Sequence, residues 1–299
     1  MFERIERVLR RATRGFIDES RHPVAVRSTT LLNRSTKLAT HRRDKVLGAM
    51  LRREQRLCRF YQAELSWLAQ QMRPGLRVFE AGGNIGSVAI ALALHEPQAT
   101  IVSFEPDPLN FGLFQLNIAL NGCANIFAYN MALGSSAGMI KLYRSPDNFG
   151  DHRSAQPKAS ADHTAPAFAA LGHPIPKVSG ASFLRSTFGD WAPELVKIDT
   201  QGADFEILAD LLPILPAHAQ VAIEFSPYHL DSHGTSFEQI VHVLEAFTTL
   251  HRIEPERGSG FKLIAVSVAE LATMFRAEKD RYRTYFDLVL AGPTRVQTR

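Results

Sequence analysis

From Leu76 onward the chain alternates short apolar runs with segments of helical length, and no other feature restricts its fold as strongly. "LRVFE" reads as a strand and "IGSVAIALAL" as a helix, followed by "TIVSFE" as a strand and "NFGLFQLNIALN" as a helix. "NIFAYNMAL" and "MIKLYR" read as strands. After a polar break come the strands "ELVKID", "QVAIEFS", "KLIAVS" and "YFDLVLAG", with helices over "ADFEILADLLPIL" and "FEQIVHVLEAF". Repeated alternation of this kind predicts an α/β fold, a parallel doubly wound sheet with helices on both faces. Ligands of such sheets bind beyond the carboxyl ends of the strands, so chemistry is expected there.

Ahead of that pattern the composition differs. Residues 1–60 hold 16 Lys/Arg against 6 Asp/Glu, a balance of +10, whereas the remainder is −6. Phe2, Ile5, Leu9, Ala12 and Phe16 fall at helical spacing with arginines opposite, and His22-Pro23 ends the segment. A second helix is expected from Asp44 to Gln71, stopped by Pro74-Gly75. Residues 1–60 are therefore expected to form a basic helical N-terminal extension, and residues 61–299 the main domain. Such an arm suits an anionic membrane surface or self-association, with a solvated helical face as the plainer alternative and nucleic acid a minor one. The irregular stretch 145–182, rich in Pro, Ala, Ser, His and Gly, is expected to be a lid or acceptor loop. No apolar run approaches the roughly 18 residues of a membrane-spanning helix. The first residues are too charged for a secretory signal. Two lone cysteines, Cys58 and Cys123, form neither a disulfide framework nor a zinc site and fit a cytoplasmic setting.

Between the first strand and helix lies "VFEAGGNIGS", Val78 to Ser87, with three glycines in five residues after a carboxylate. A glycine-rich turn lets backbone amides approach a ligand, and Ala81-x-Gly83-x-x-Gly86 approximates a dinucleotide fingerprint. Glu80 argues otherwise. A carboxylate at that strand end repels a pyrophosphate and attracts a cationic ligand such as S-adenosylmethionine, which has a sulfonium, an ammonium and no phosphate. Glu105 ends the next strand, where an acid accepts ribose hydroxyls. A cationic, phosphate-free nucleoside explains both acids, whereas NAD explains only the second; capping of the following helices is the structural alternative.

The segments "VFEAGGNIGS", "SFEPDPLNFGLFQLNIALN", "NMALGSSAG", "DNFG" and "LVKIDTQGADFEIL" occur in the order found in the FkbM family of S-adenosylmethionine-dependent methyltransferases, which this chain resembles from about Tyr61 to Gly292. The resemblance implies a class I methyltransferase, Rossmann-like fold with a seven-stranded, mostly parallel sheet whose last strand is reversed. It further implies that Glu80, Gly82, Asn84 and Gly86 serve the methionine end of the cofactor and that Glu105, with Pro106, holds the ribose. Met131 and Ala132 would border the adenine, and Asn148 would contact cofactor or substrate or else simply make a turn. Family members usually have Asp-x-Gly-Ala-Asn-x-Gly at the first motif and Asp-x-Glu-Gly-x-Glu at the fourth. Here Glu80, Gly83, Gln201 and Asp204 depart from those patterns.

On the acceptor side, Lys197 and Asp199 share one face of "ELVKID", and Glu224 sits on the next strand. These three are expected to form a buried polar cluster at the strand ends, with Asp199 orienting or deprotonating a hydroxyl. A structural ion pair is the equal alternative for Lys197. His152, Arg153 and His229 could each serve as a base or sugar-binding group, but each alone reads as an ordinary surface residue. No cluster has metal-ligand spacing, and the motifs of nucleic-acid methylases are absent. The expected function is O-methylation of a glycan, glycolipid or secondary metabolite, the sugar preference coming from the resemblance alone. The rivals are an NAD-dependent oxidoreductase and a non-catalytic membrane- or partner-docking module.

Overall fold

The computed structural model describes residues 23–53, 57–156, 172–258 and 260–293. Strands β3 (Arg77–Ala81) and β4 (Thr100–Phe104), and likewise β9 (Leu195–Ile198), are buried along nearly their whole length, because helices cover both faces of the sheet they form. Adjacent residues of one strand therefore enter different cores. Val78 joins Leu65, Trp67, Ile90 and Phe114 on one face. Phe79 joins Leu184, Phe205, Leu208 and Leu244 on the other.

Before the sheet come β1 (Val24–Leu31), β2 (Arg34–His41), α1 (Leu47–Arg53) and α2 (Arg59–Gln71). Next are α3 (Ser87–His95), α4 (Pro108–Asn121), β5 (Ile126–Tyr129), β6 (Ala132–Gly134), β7 (Gly138–Tyr143) and β8 (Gly172–Ser179). The chain continues through α5 (Gly180–Phe188), α6 (Asp204–Leu211), β10 (Gln220–Phe225), α7 (Pro227–His233) and α8 (Phe237–Leu244). It closes with β11 (Phe247–Pro255), β12 (Phe261–Ala265), α9 (Val268–Glu278) and β13 (Phe286–Pro293). The main sheet has eight strands in the order β12-β11-β13-β10-β9-β3-β4-β5. β5, β4, β3, β9 and β10 run parallel, and β13 is reversed between β10 and β11. This is the expected class I methyltransferase fold, with one strand more than expected because β12 pairs on the edge of β11. A small sheet, β6-β8-β7, stands apart from it.

Two sequence expectations change. The extension is only partly helical where it is described: residues 24–41 form a β-hairpin ahead of α1, and the first predicted helix (Phe2 to Phe16) lies outside the described residues. Alternating β-branched residues favour strands, and Leu32-Asn33, both in the left-handed region at φ 47° and 62°, form the two-residue turn that matches strand twist. The helix expected over Asp44–Gln71 is two, α1 and α2, and the expected domain boundary at 60/61 falls inside α2. Of the expected lid, residues 172–182 form β8 and the first turn of α5 instead, while 157–171 lie outside the described residues.

The hairpin is fastened to the body by asparagines. Asn117 of α4, fully buried, accepts from Ala39 N (2.6 Å) and donates to Ala39 O (3.1 Å) and Ile85 O (2.9 Å). One turn later Asn121 makes the same pair of bonds to Lys37, at 2.9 and 2.7 Å. Asn117→Ala would strand a buried N–H and carbonyls, so an equilibrium urea titration should show a loss of about 1–3 kcal/mol.

Candidate active site

The register of the sheet lays out the site. Glu80 pairs with Ser103 on one side and with Lys197 on the other, so the three side chains form one row. The chain continues beyond β9 beside β3, with Asp199 N donating to Ala81 O at 3.0 Å. On β10 and β13 Glu224 lies directly opposite Asp287. Helix α2 adds Tyr61 and the buried Glu64. One buried lysine is thus surrounded by carboxylates. Burial opposes its charge, but Asp199, then Glu64 and Glu80, outweigh burial and push the Lys197 pKa well above the usual lysine value. Burial in turn raises Glu80, and raises Glu64 to about 7, with Lys197 the main opposing influence on both.

A cleft with about 1000 Å³ of open space lies over this row, at the carboxyl ends of β3, β4, β5 and β9. Its wall includes Glu80, Gly82, Asn84, Glu105, Pro106, Met131, Ala132, Lys197 and Asp199, all anticipated from sequence. Glu105 is buried, and its two oxygens accept Asn84 N (2.7 Å) and Asp107 N (2.8 Å). Burial nevertheless raises its pKa to about 8. Neither acid caps a helix; Asp107 does that for α4. Lys197 Nζ donates to Asp199 Oδ2 at 3.3 Å, the lysine side chain being 5% and the aspartate 37% exposed. Asp199 is therefore the member of the pair that faces the opening.

Three anticipated residues do not line the cleft. Gly86 does not line the cleft: it is the left-handed N-cap of α3, and a Cβ there would lie 2.0 Å from the ring of Phe114. A Cβ on Gly83 would likewise meet that ring, at 2.8 Å. A Cβ on Gly82, at φ 85°, would lie 1.8 Å from Asp199 O. The glycine loop thus answers first to close chain packing and only secondarily to a ligand. Asn148 makes a turn, its Oδ1 accepting Gly150 N at 3.2 Å, and leaves the cleft wall to Phe149 and Gly150. Glu224, largely but not fully buried, stands outside the cleft lining and is raised well above the usual carboxylate range by desolvation and then by Asp199. It reaches the cleft through Gln201, whose Nε2 lies 2.7 Å from Asp199 Oδ1 and 3.4 Å from Glu224 Oε2.

Arg153 and His229, expected at the surface, are buried. Both guanidinium contacts of Arg153 to Asp151 are 2.6 Å, and its cation lies over the rings of Tyr282 (4.9 Å) and Tyr228 (5.6 Å). His229 sits 3.6 Å from Glu224 and 3.7 Å from Asp151. Arg144 pairs with Asp107, and Lys45 Nζ with Asp147 at 2.8 Å. Residues 145–156 of the expected lid therefore form a pinned wall of the cleft. His152, which lines it, is lowered to about 4 by burial and stays neutral. Sequence reasoning also missed Tyr61, Asn110, Lys177, Glu206 and His233 in the lining. Only Asn110 carried a signal, being one turn past Glu105 in "SFEPDPLN".

The lining fits S-adenosylmethionine. Buried Asn84 Oδ1, Asn110 Oδ1 and Thr200 Oγ1 have no protein partner, and all three residues line the cleft. Two of these atoms are obligate acceptors, and the ligand offers donors at its ammonium, ribose hydroxyls and adenine amino group. Among the described residues no group of His, Cys, Asp and Glu is arranged to hold a metal ion, and no helix is long and apolar enough to cross a membrane.

The chain is similar to known methyltransferases. The chain is 30% identical over 152 residues to Methyltransferase 1 of Beauveria bassiana (strain ARSEF 2860), covering 45% of this chain and 57% of that protein. It is 27% identical over 153 residues to methyltransferase sdnD of Sordaria araneosa, covering 44% and 58%. The match thus spans less than two thirds of either fungal protein. Among solved structures, the precorrin-6y C5,15-methyltransferase of Geobacter metallireducens GS-15 aligns at 12% identity and a TM-score of 0.39, over 78% of this chain and 86% of that one. The model of the methyltransferase FkbM domain, a family whose methyl donor is S-adenosylmethionine, matches residues 80–278. Tyr61 and Glu64 precede the matched residues, and Tyr282 and Asp287 follow them. With two thirds of its length matched, the chain belongs to the FkbM methyltransferase family.

Proposed function

We propose that this chain is an S-adenosylmethionine-dependent O-methyltransferase that acts on a hydroxyl of a sugar-containing acceptor, in the cytoplasm. The observation that carries the reading is the set of acids at the strand ends, Glu80, Glu105 and Asp199, facing a cleft in which Asn84 Oδ1 and Asn110 Oδ1 are unsatisfied acceptors. Burial raises the pKa of Glu80 and Glu105, so this lining favours a ligand whose own positive charge offsets that burial and disfavours a pyrophosphate. When bound, S-adenosylmethionine supplies an electrophilic methyl carbon on a sulfonium leaving group. Glu80, Gly82 and Asn84 hold its amino-acid end, and Glu105 with Pro106, Met131 and Ala132 its nucleoside. Asp199 receives the proton of the acceptor hydroxyl. Lys197 fixes one oxygen of that base, and Glu224 stands behind it. Support for the sugar comes from the family resemblance. Support for the compartment comes from Cys58 and Cys123, both free thiols.

Calorimetric titration separates this reading from a nicotinamide enzyme. S-adenosylhomocysteine should bind and NAD should give no heat. Glu80→Ala should weaken S-adenosylhomocysteine about 10- to 100-fold, the worth of one charged hydrogen bond. Binding of NAD by the wild type, or a Glu80→Ala variant with undiminished affinity, would refute the assignment. Incubating labelled cofactor with glycan extracts then tests the acceptor: label should enter the glycan fraction.

A further inference from the structure

The turn after β9 is held by one clamp. Asp204, 1% exposed, accepts Thr200 N and Gly202 N, each at 2.8 Å. Gly202, at φ 126°, passes so close to α7 that a Cβ would lie 2.7 Å from His229 O. Between them Gln201 sits in the left-handed region at φ 59°, which few residues other than glycine and asparagine occupy readily. The clamp needs no side chain at this position, and a glycine would suit the backbone better. The strained residue instead lines the cleft, with its amide placed between two acids. Nε2 donates to Asp199 Oδ1 at 2.7 Å and approaches Glu224 Oε2 at 3.4 Å, while Lys197 takes the other oxygen of Asp199. Strain of this kind gathers at functional sites.

We infer that Gln201 is a positioning residue: its amide locks Asp199 in the rotamer that faces the cleft and prevents Asp199 and Glu224 from sharing a proton. A glutamate at this position would place a third carboxylate between the two acids and remove the donor that separates them. The inference rests on the proposed role of Asp199, and it adds a residue whose own contact is to the base.

Gln201→Gly tests it, because this change relieves the backbone and removes the side chain that carries the amide. The melting temperature should not fall, and S-adenosylhomocysteine affinity should match the wild type. Methyl transfer from labelled cofactor to glycan extract should drop in kcat on the order of 10²-fold, as for a misplaced catalytic group, with KM little changed. Gln201→Leu, which lacks the amide but keeps the bulk, should lose as much. In crystals with S-adenosylhomocysteine, Asp199 should leave its rotamer in both variants. Wild-type turnover in Gln201→Gly, or an Asp199 that stays in place, overturns the inference. If the wild type itself transfers no methyl group, the proposed function falls, and the crystal structure alone decides the role of Gln201.

Discussion

Asp199→Asn should retain S-adenosylhomocysteine binding and lower methyl transfer by about 10²–10⁴-fold, the span typical of a lost general base. The side chains are isosteric, and the remaining amide oxygen can still accept from Gln201 at the 2.7 Å position. Lys197 loses one partner but keeps Glu64 and Glu80 beside it, so its charge stays compensated and the fold is spared. Single-turnover transfer of labelled methyl, measured with calorimetry on the same sample, separates chemistry from binding. A variant that transfers at the wild-type rate would remove Asp199 from the mechanism and leave the Lys197–Asp199 pair as a brace for the sheet.

The second large effect concerns stability. Arg153→Met should cost about 3–5 kcal/mol, because removing one partner of a buried ion pair leaves the other charge uncompensated. Arg153 is 1% exposed, and both oxygens of Asp151 lean on its guanidinium at 2.6 Å. Tyr282 Oη, 3.3 Å from Asp151, replaces only part of that contact. The same variant should bind S-adenosylhomocysteine more weakly, since Phe149, Gly150 and His152 line the cleft on the segment that Arg153 anchors. Adding Asp151→Asn should return most of the lost stability, as removal of both charges usually does. Urea unfolding of the two single variants and the double variant gives the cycle. A single-variant loss under about 1 kcal/mol, the size of an exposed pair, would mean that Arg153 and Asp151 do not act as a buried ion pair.

The sheet was legible because its strands are continuous apolar runs separated by helices, a pattern local in sequence. Glu80, Glu105 and Asp199 could be read for the same reason: each follows directly on such a run. What stayed hidden depends on contacts between distant segments. Nothing around Arg153 distinguishes it from a surface arginine until Tyr228 and Tyr282 close over it. The hairpin at residues 24–41 was masked by its basic surroundings, although Asn33 marks its turn. β11, "FTTLHRIEP", lacks clean alternation because its burial comes from β13 and α2 rather than from its own pattern. The glycines showed that something approaches closely without saying what. At Gly83 and Gly86 the visitor is Phe114.

That aromatic plug has a thermodynamic corollary. With its ring filling the space where two β-carbons would stand, the loop at residues 82–86 has its shape before any nucleoside arrives. Little chain freedom remains to be surrendered there on association, so the affinity of this end of the cleft reflects the contacts formed rather than the ordering of a floppy segment.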